Sequence, residues 1–159
     1  MAQEPTPELP AEVAFHFNAV DKLQHAVRLL RKAYAKGARL HVLADAELSN
    51  RVDTELWQSV PGDFVPHCLD KAPVSVLARS PIVIGPTVLE VEPAVAVLVN
   101  LGDRLPDPER IGRYRRVIEV VSTSVQDREQ ARSRWRWYLS SGIEPIRHDL
   151  AASASGAPG

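Results

Sequence analysis

The apolar run "AVAVLVNL" at positions 94–101 is the stretch that decides the fold. Apart from Asn100 it contains only Ala, Val and Leu, so a strand formed by it would be apolar on both sides. Such strands are typical of parallel sheets, because helices cover both faces of those sheets. The run therefore predicts a buried strand inside an α/β fold.

The segments around this run alternate between strand and helix patterns. Several of them carry the alternation or the apolar content of strands. We expect strands at "VAFHFN" (13–18), "RLHVLAD" (39–45), "VSVLA" (74–78), "IVIG" (82–85) and "RVIEVV" (116–121), with an edge strand at "EPIRH" (144–148).

Each predicted helix begins after a side chain that can accept a hydrogen bond from the first turn. Asp21 with Gln24, and Ser124 with Asp127, have the spacing of capping boxes, and Asp45 precedes another helix. Strands that alternate with helices indicate one α/β domain with a mostly parallel sheet flanked by helices. We expect the helices at 22–36, 46–57 and 125–141, and a short helix introduced by 106–108.

The composition fits one globular domain with unpacked ends. A chain of 159 residues, 45% hydrophobic and 25% charged, is long enough for a single core. One cysteine allows no internal disulfide, which favours a reducing cytoplasm, and no apolar run approaches the roughly 18 residues that span a bilayer. We expect the folded domain at 12–150, with disordered ends at 1–11 and 151–159.

Arginine is concentrated in the C-terminal third of the chain. Residues 1–103 carry 9 Lys and Arg against 13 Asp and Glu, whereas residues 104–159 carry 10 Arg against 7 acidic residues. Arg suits planar recognition of carboxylate or phosphate groups. A general attraction to nucleic acid is not expected, but a local anion-binding face is.

Nucleotide-binding motifs are missing from the sequence. Neither G-x-x-x-x-G-K-[ST] nor a G-x-G-x-x-G after the first strand occurs, and "NAVDKLQ" (18–24) stands where a phosphate loop would be. No glycine there would let a phosphate approach the backbone. We expect no nucleotide and no other cofactor.

Possible catalytic residues have simpler explanations. Asp45 and Asp103 follow predicted strands, where α/β enzymes place metal-binding acids, but a helix cap and a turn explain them as well. His67 and Cys68 are adjacent in a long connection, without a partner at metal-ligand spacing. The sequence predicts no enzyme, with a hydrolase that uses the two aspartates as a remaining alternative.

The helix at 125–141 contains "ARSRWRWYLSSG" (131–142), with two of the three tryptophans of the chain. Ala131 and Tyr138 are expected to turn inward. Arg134 is expected to point away from any pocket on this helix, so that its replacement would cost little ligand affinity. The helix could be a solvated basic face, a pocket for an anionic and aromatic ligand, or a surface for single-stranded nucleic acid. At about 100° per residue one side collects Arg128, Arg132, Trp135, Arg136 and Leu139.

The order of these motifs resembles the chi subunit of bacterial DNA polymerase III. The resemblance covers roughly residues 13–150 and includes "VDTELW", "DFVPHCL", "AVLVNL" and "ARSRWRWYLSSG". It implies a Rossmann-like, non-enzymatic accessory subunit that links the clamp-loader complex to single-stranded DNA-binding protein. The link is that protein's acidic C-terminal tail, which ends in phenylalanine. The resemblance implies a tail-binding site at Arg128, Arg132, Trp135, Arg136 and Val121.

A second surface is predicted at Trp57 and Phe64, in "LWQSVPGDF" (56–64). Two large aromatic side chains there could cover the sheet edge or contact another protein. In the chi family this region docks the psi subunit, and a helicase-like partner is the alternative. The resemblance implies an indirect contact with DNA, whereas direct binding of single-stranded DNA by the Arg and Trp helix is the rival function.

Overall fold

Seven parallel strands form one sheet in the described part of the chain. The structure is a computed structural model that describes residues 9–58, 64–87 and 96–151. The strands lie in the order β3-β4-β2-β5-β6-β1-β7, which confirms the predicted α/β fold. Their bounds are β1 Glu12–Ala19, β2 Arg39–Leu43, β3 Cys68–Leu69, β4 Ile82–Gly85, β5 Ala96–Asn100, β6 Arg116–Ser122 and β7 Ile146–Asp149.

The three long helices begin at the predicted caps. The carboxylates of Asp21 and Asp45 accept hydrogen bonds from the N–H groups of Gln24 and Leu48, at 3.1 and 2.8 Å. Gly142 follows the last helix with a φ of 100°, a left-handed conformation that glycine adopts without strain. The helices are α1 Lys22–Ala35, α2 Ala46–Trp57, α3 Val74–Arg79 and α4 Val125–Ser140, with a 3-10 turn at Ile111–Arg113.

The two faces of the sheet bury separate apolar clusters. Strand β6 shows the division, because its successive side chains point to opposite faces. Val120 packs with the buried sides of α1 and α2, whereas Val121 packs with Ala131 and Tyr138 of α4. Helices α1 and α2 therefore cover one face of the sheet, and α4 covers the other.

One local prediction is wrong, and one short strand was not predicted. The segment 74–78 forms helix α3 instead of a strand, and none of its residues is buried. A short apolar run does not distinguish a helix from a strand, and Pro73 stands directly before the first turn. Strand β3 was not predicted, because two residues show no periodicity. Its Cys68 pairs with Val83 of β4.

The predicted disordered ends fall largely at 1–8 and 152–159, outside the described residues, as do the first two residues of the run at 94–101. Within the described part, Ala11 donates its N–H to the carbonyl oxygen of Arg115 at 2.9 Å. None of the described helices has the length and hydropathy needed to cross a membrane.

Candidate functional site

A buried ion pair fixes the rotation of α4 about its axis. Arg134 is 3% exposed, and its Nε donates to Glu119 Oε1 of β6 at 3.0 Å. Its Nη1 donates to the carbonyl oxygen of Asp103 at 2.9 Å. The hydroxyl of Tyr138, one turn further along, donates to Glu119 Oε2 at 2.9 Å. The side of α4 that carries Arg134 and Tyr138 must therefore face the sheet.

The Glu119 carboxyl is enclosed by hydrogen-bond donors. Burial raises its pKa above the ordinary value for glutamate, while Arg134, Tyr138 and Asn100 act in the opposite direction. Asn100 adds a third partner, since its Nδ2 donates to Glu119 Oε1 at 2.8 Å. Burial and the neighbouring Glu119 also raise the pKa of the Tyr138 hydroxyl. The hydroxyl therefore stays protonated and acts as a donor.

Arg134 does not line the groove side of α4, and its small effect on ligand binding stays a prediction, but the burial of its side chain was not expected. Its side chain points away from the exposed face of α4, as the helical spacing indicates, but into the protein instead of into solvent. A helical projection gives the direction of a side chain and not what covers it. The missed signal was Glu119, a charged residue in the middle of an apolar strand, which requires a partner when it is buried.

With α4 held in this way, its other side borders a groove of about 320 Å³. The floor is aromatic, because the ring centroids of Phe15 and Trp135 lie 5.0 Å apart and tilted by 58°. Tyr138 supports Phe15 from below, with an edge contact at 5.9 Å between centroids. The groove is lined by Phe15, Phe17, Val121, Arg128, Ala131, Arg132, Trp135 and Arg147.

The charged part of the groove lining is entirely cationic. Within the described residues, the lining includes three arginines and no Asp or Glu. Arg128 and Arg132 project from α4 and are exposed. Arg147 comes from β7, and its guanidinium carbon lies 5.0 Å from the centroid of the Phe17 ring. The groove can accept a ligand that combines an apolar ring with negative charge.

The structure brings together four of the five site residues expected on this side. Arg128, Arg132, Trp135 and Val121 line the groove, whereas Arg136 is exposed on α4 and does not. Four lining residues were not predicted as site residues, namely Phe15, Phe17, Ala131 and Arg147. The alternation of "VAFHFN" places both phenylalanines on one face of β1, but the position of β7 beside β1 had no sequence signal.

The second predicted surface forms an aromatic cluster on the other side of the molecule. Trp57 and Phe64 are 61% and 55% exposed, and their ring centroids lie 5.0 Å apart. His67 supports Trp57 with an edge contact at 5.2 Å between ring centroids, and its Nε2 lies 3.0 Å from Asp53 Oδ1 of α2. The two exposed rings are thus held together from below.

Known proteins resemble the chain in sequence. The sequence model of the family described as DNA polymerase III chi subunit, HolC, matches residues 11–145. The chain belongs to the chi family. It is 30% identical to the DNA polymerase III subunit chi of Pseudomonas aeruginosa over 132 residues, which are 81% of this chain and 87% of that protein. Chi is an accessory subunit of the polymerase, in a family without catalytic activity of its own.

Solved structures share the fold of this chi chain at low sequence identity. A structure of the C-terminal domain of the DEAD-box protein Dbp5 has a TM-score of 0.58 at 17% identity, and covers 92% of this chain and 93% of that one. S. cerevisiae Dbp5 in a complex with Nup159, Gle1, IP6 and ADP has a TM-score of 0.60 at 16% identity, over 88% and 42% of the two chains. Both similarities concern the fold alone.

The other candidate residues of this chi chain have structural partners. Asp45 caps α2, and the backbone carbonyl of Asp103 accepts from Arg134. His67 Nδ1 lies 2.7 Å from the carbonyl oxygen of Val65, and Cys68 belongs to β3. Among the residues at 9–58, 64–87 and 96–151, no group of three His, Cys, Asp or Glu side chains could hold a metal ion.

Proposed function

We propose that the chain links the DNA polymerase III clamp-loader complex to single-stranded DNA-binding protein, by binding that protein's acidic C-terminal tail in the α4 groove. The observation that carries the proposal is the lining of the groove, which combines three guanidinium groups with an aromatic floor. A tail that ends in phenylalanine offers a carboxylate, a ring and upstream acidic residues in one short segment. Membership of the chi family supports the same function.

The groove lining suggests how the tail is held. The terminal carboxylate pairs with Arg132, and the terminal ring rests on Trp135 and Val121. Arg128, which lies on the same helix as Arg132, attracts the acidic residues upstream of the tail's terminus. A hydrogen bond to a charged group contributes roughly 1.5–3 kcal/mol, and burial of a phenylalanine ring contributes about as much.

The Trp57 and Phe64 cluster is proposed as the docking surface for a second protein. Candidates are the psi subunit, another clamp-loader component or a helicase-like partner. Two large exposed rings in contact are typical of binding hot spots, because aromatic anchors supply much of the energy of protein interfaces. With these two surfaces the protein would act as an adaptor of the replisome in the cytoplasm. Its own contact with DNA would be indirect.

The experiment is a titration of the protein with a fluorescent peptide that ends in acidic residues, an apolar spacer and phenylalanine. Arg132→Ala is expected to weaken binding about tenfold or more, since it removes the partner of the carboxylate. Removal of the terminal phenylalanine is expected to abolish binding. Arg51→Ala is the matched control, because Arg51 is exposed on α2, away from the groove.

Two outcomes would contradict this function. If the wild-type protein shows no saturable binding of the peptide, the groove does not serve a tail of this chemistry. If a single-stranded oligonucleotide binds tightly and the peptide does not compete with it, the helix is a direct DNA-binding surface.

A further inference from the structure

We infer that Arg147 of the edge strand β7 recognises the acidic residues upstream of the peptide's terminus, so that the groove fixes the direction in which the peptide lies. This inference rests on the proposed function of the groove. It assigns a specificity-determining residue outside α4, on the opposite wall of the groove.

The sheet order places Arg147 across the groove from α4. Strand β1 lies between β6 and β7, and its Phe15 pairs in register with Arg147. Helix α4 packs on the β6 side of this trio, where Ala131 contacts the cluster that contains Val121. The groove therefore runs from α4 over the phenylalanines of β1 to the guanidinium on β7.

Arg147 is free to bind a carboxylate. Its side chain is exposed, and its guanidinium rests on the Phe17 ring instead of on a carboxylate of the described residues. A guanidinium that lies over a ring keeps its N–H groups available at the edges of its plane. It can accept an anionic partner without breaking an ion pair to any residue at 9–58, 64–87 or 96–151.

The arginines of α4 approach the upstream acidic residues from one wall of the groove only. Arg132 and Arg128 lie one turn apart on the same wall, and Arg136 does not line the groove. When the terminal carboxylate binds Arg132, the ring of the same residue lies on Trp135 and fills the pocket there. The preceding residues of the peptide must then lie outside that pocket. Among the described lining residues, Arg147 is the cation on the far side of the aromatic floor. Upstream acidic residues of the peptide that lie against Arg147 are held apart from the terminal carboxylate at Arg132.

The test is a double-mutant cycle between Arg147→Gln and three synthetic peptides. The first peptide has two aspartates, an apolar spacer and a terminal phenylalanine with a free carboxylate. The second replaces the aspartates by asparagines, and the third carries a C-terminal amide. Arg147→Gln should weaken binding of the first peptide about three- to tenfold at low salt. Arg51→Gln, which removes the same charge from the opposite face of the sheet, should leave affinity within twofold.

The two modified peptides decide the direction. The asparagine peptide should bind wild type and Arg147→Gln equally, because the partner of Arg147 is gone. The amide peptide should bind more weakly overall but keep the full effect of Arg147→Gln. The inference would be overturned if both proteins bound the first peptide with equal affinity. It would also be overturned if the effect of Arg147→Gln disappeared with the amide peptide and persisted with the asparagine peptide.

Failure of the inference is distinguishable from failure of the proposed function. In the first case wild type binds the peptide and Arg132→Ala weakens it, while Arg147→Gln has no effect or couples to the terminal carboxylate. In the second case wild type does not bind the peptide at all. Equal melting temperatures of Arg147→Gln and wild type, expected for an exposed side chain, exclude a folding defect.

Discussion

Arg132 and Arg134 are two residues apart on α4 and have opposite surroundings. Arg132 is exposed at the groove, whereas Arg134 is buried against Glu119. Removal of one partner of a buried ion pair leaves the other charge without compensation, which costs about 3–5 kcal/mol. Arg134→Ala is thus expected to lower the free energy of unfolding by about that amount, as measured by denaturant titration.

The double variant Arg134→Ala with Glu119→Gln tests the reason for this loss. It leaves no uncompensated buried charge, so it should be more stable than Arg134→Ala alone. If both variants lose the same free energy, the cost comes from lost packing and not from the charge of Glu119.

Buried histidines make the stability of the protein depend on pH. Burial, together with the neighbouring His25 and His148, lowers the pKa of His16 to about 4, and burial lowers that of His41 to about 4. Between that pH and the ordinary histidine value of about 6.5, the unfolded chain binds more protons than the folded one. The free energy of unfolding should therefore have its full value above pH 6.5 and decrease as the pH falls toward 4.

His16→Phe measures the share of one ring in this dependence. Each such histidine contributes a slope of up to about 1.4 kcal/mol per pH unit in the window between the two pKa values. The variant should have a shallower dependence by up to that slope, determined from urea unfolding at pH 4.5, 5.5 and 6.5. An unchanged slope would show that protonation of His16 does not oppose folding.

At the scale of the element, the first turn of α4 shows what the sequence could and could not predict. The spacing of Ser124 and Asp127 predicted the start of the helix, and Ser124 Oγ does accept from the Asp127 N–H, at 3.4 Å. The carboxylate of Asp127 instead accepts from the N–H of Ser122, at 2.7 Å, and lies 2.9 Å from Lys22 Nζ. A local pattern identifies a cap, but it contains no information about the partner that the fold brings from α1.

The predicted consequence is that Asp127 matters more for stability than Ser124. Although burial acts to raise the pKa of Asp127, the N–H of Ser122 and the ammonium of Lys22 lower it below the ordinary value. Asp127→Ala should cost roughly 1.5–3 kcal/mol, because a charged acceptor is lost, and Ser124→Ala about 1 kcal/mol. Thermal unfolding of both variants measures the order, and a larger loss for Ser124→Ala would contradict it.

At the scale of the whole molecule, the alternation of strands and helices was enough to predict the layers of the fold. The parallel sheet follows from apolar strands, such as the one that contains Leu98 and Val99, which need cover on both faces. The sequence did not predict which strands are neighbours. The groove depends on that order, since β7 adds Arg147 beside β1 only in the folded sheet. The α4 residues were therefore predictable and the opposite wall was not.

The two candidate surfaces lie on helices that cover opposite faces of the sheet. Val52 and Leu56 of α2 pack in one buried cluster, and Ala131 and Tyr138 of α4 pack in the other. Partners bound at Trp57 and at the groove should therefore not compete for space. The expected result is a ternary complex of the protein with the tail peptide and a clamp-loader partner, detected by size-exclusion chromatography.

Trp57→Ala and Phe64→Ala test the independence of the two surfaces. Truncation of an aromatic hot spot costs about 2 kcal/mol or more, so each variant should bind the clamp-loader partner at least about tenfold more weakly. Affinity for the tail peptide should stay within twofold, because neither ring contacts the groove. Val20→Ala, at a side chain that is 90% exposed elsewhere, serves as the apolar control. Loss of peptide affinity in the Trp57 or Phe64 variant, with unchanged melting temperature, would mean that one surface serves both partners.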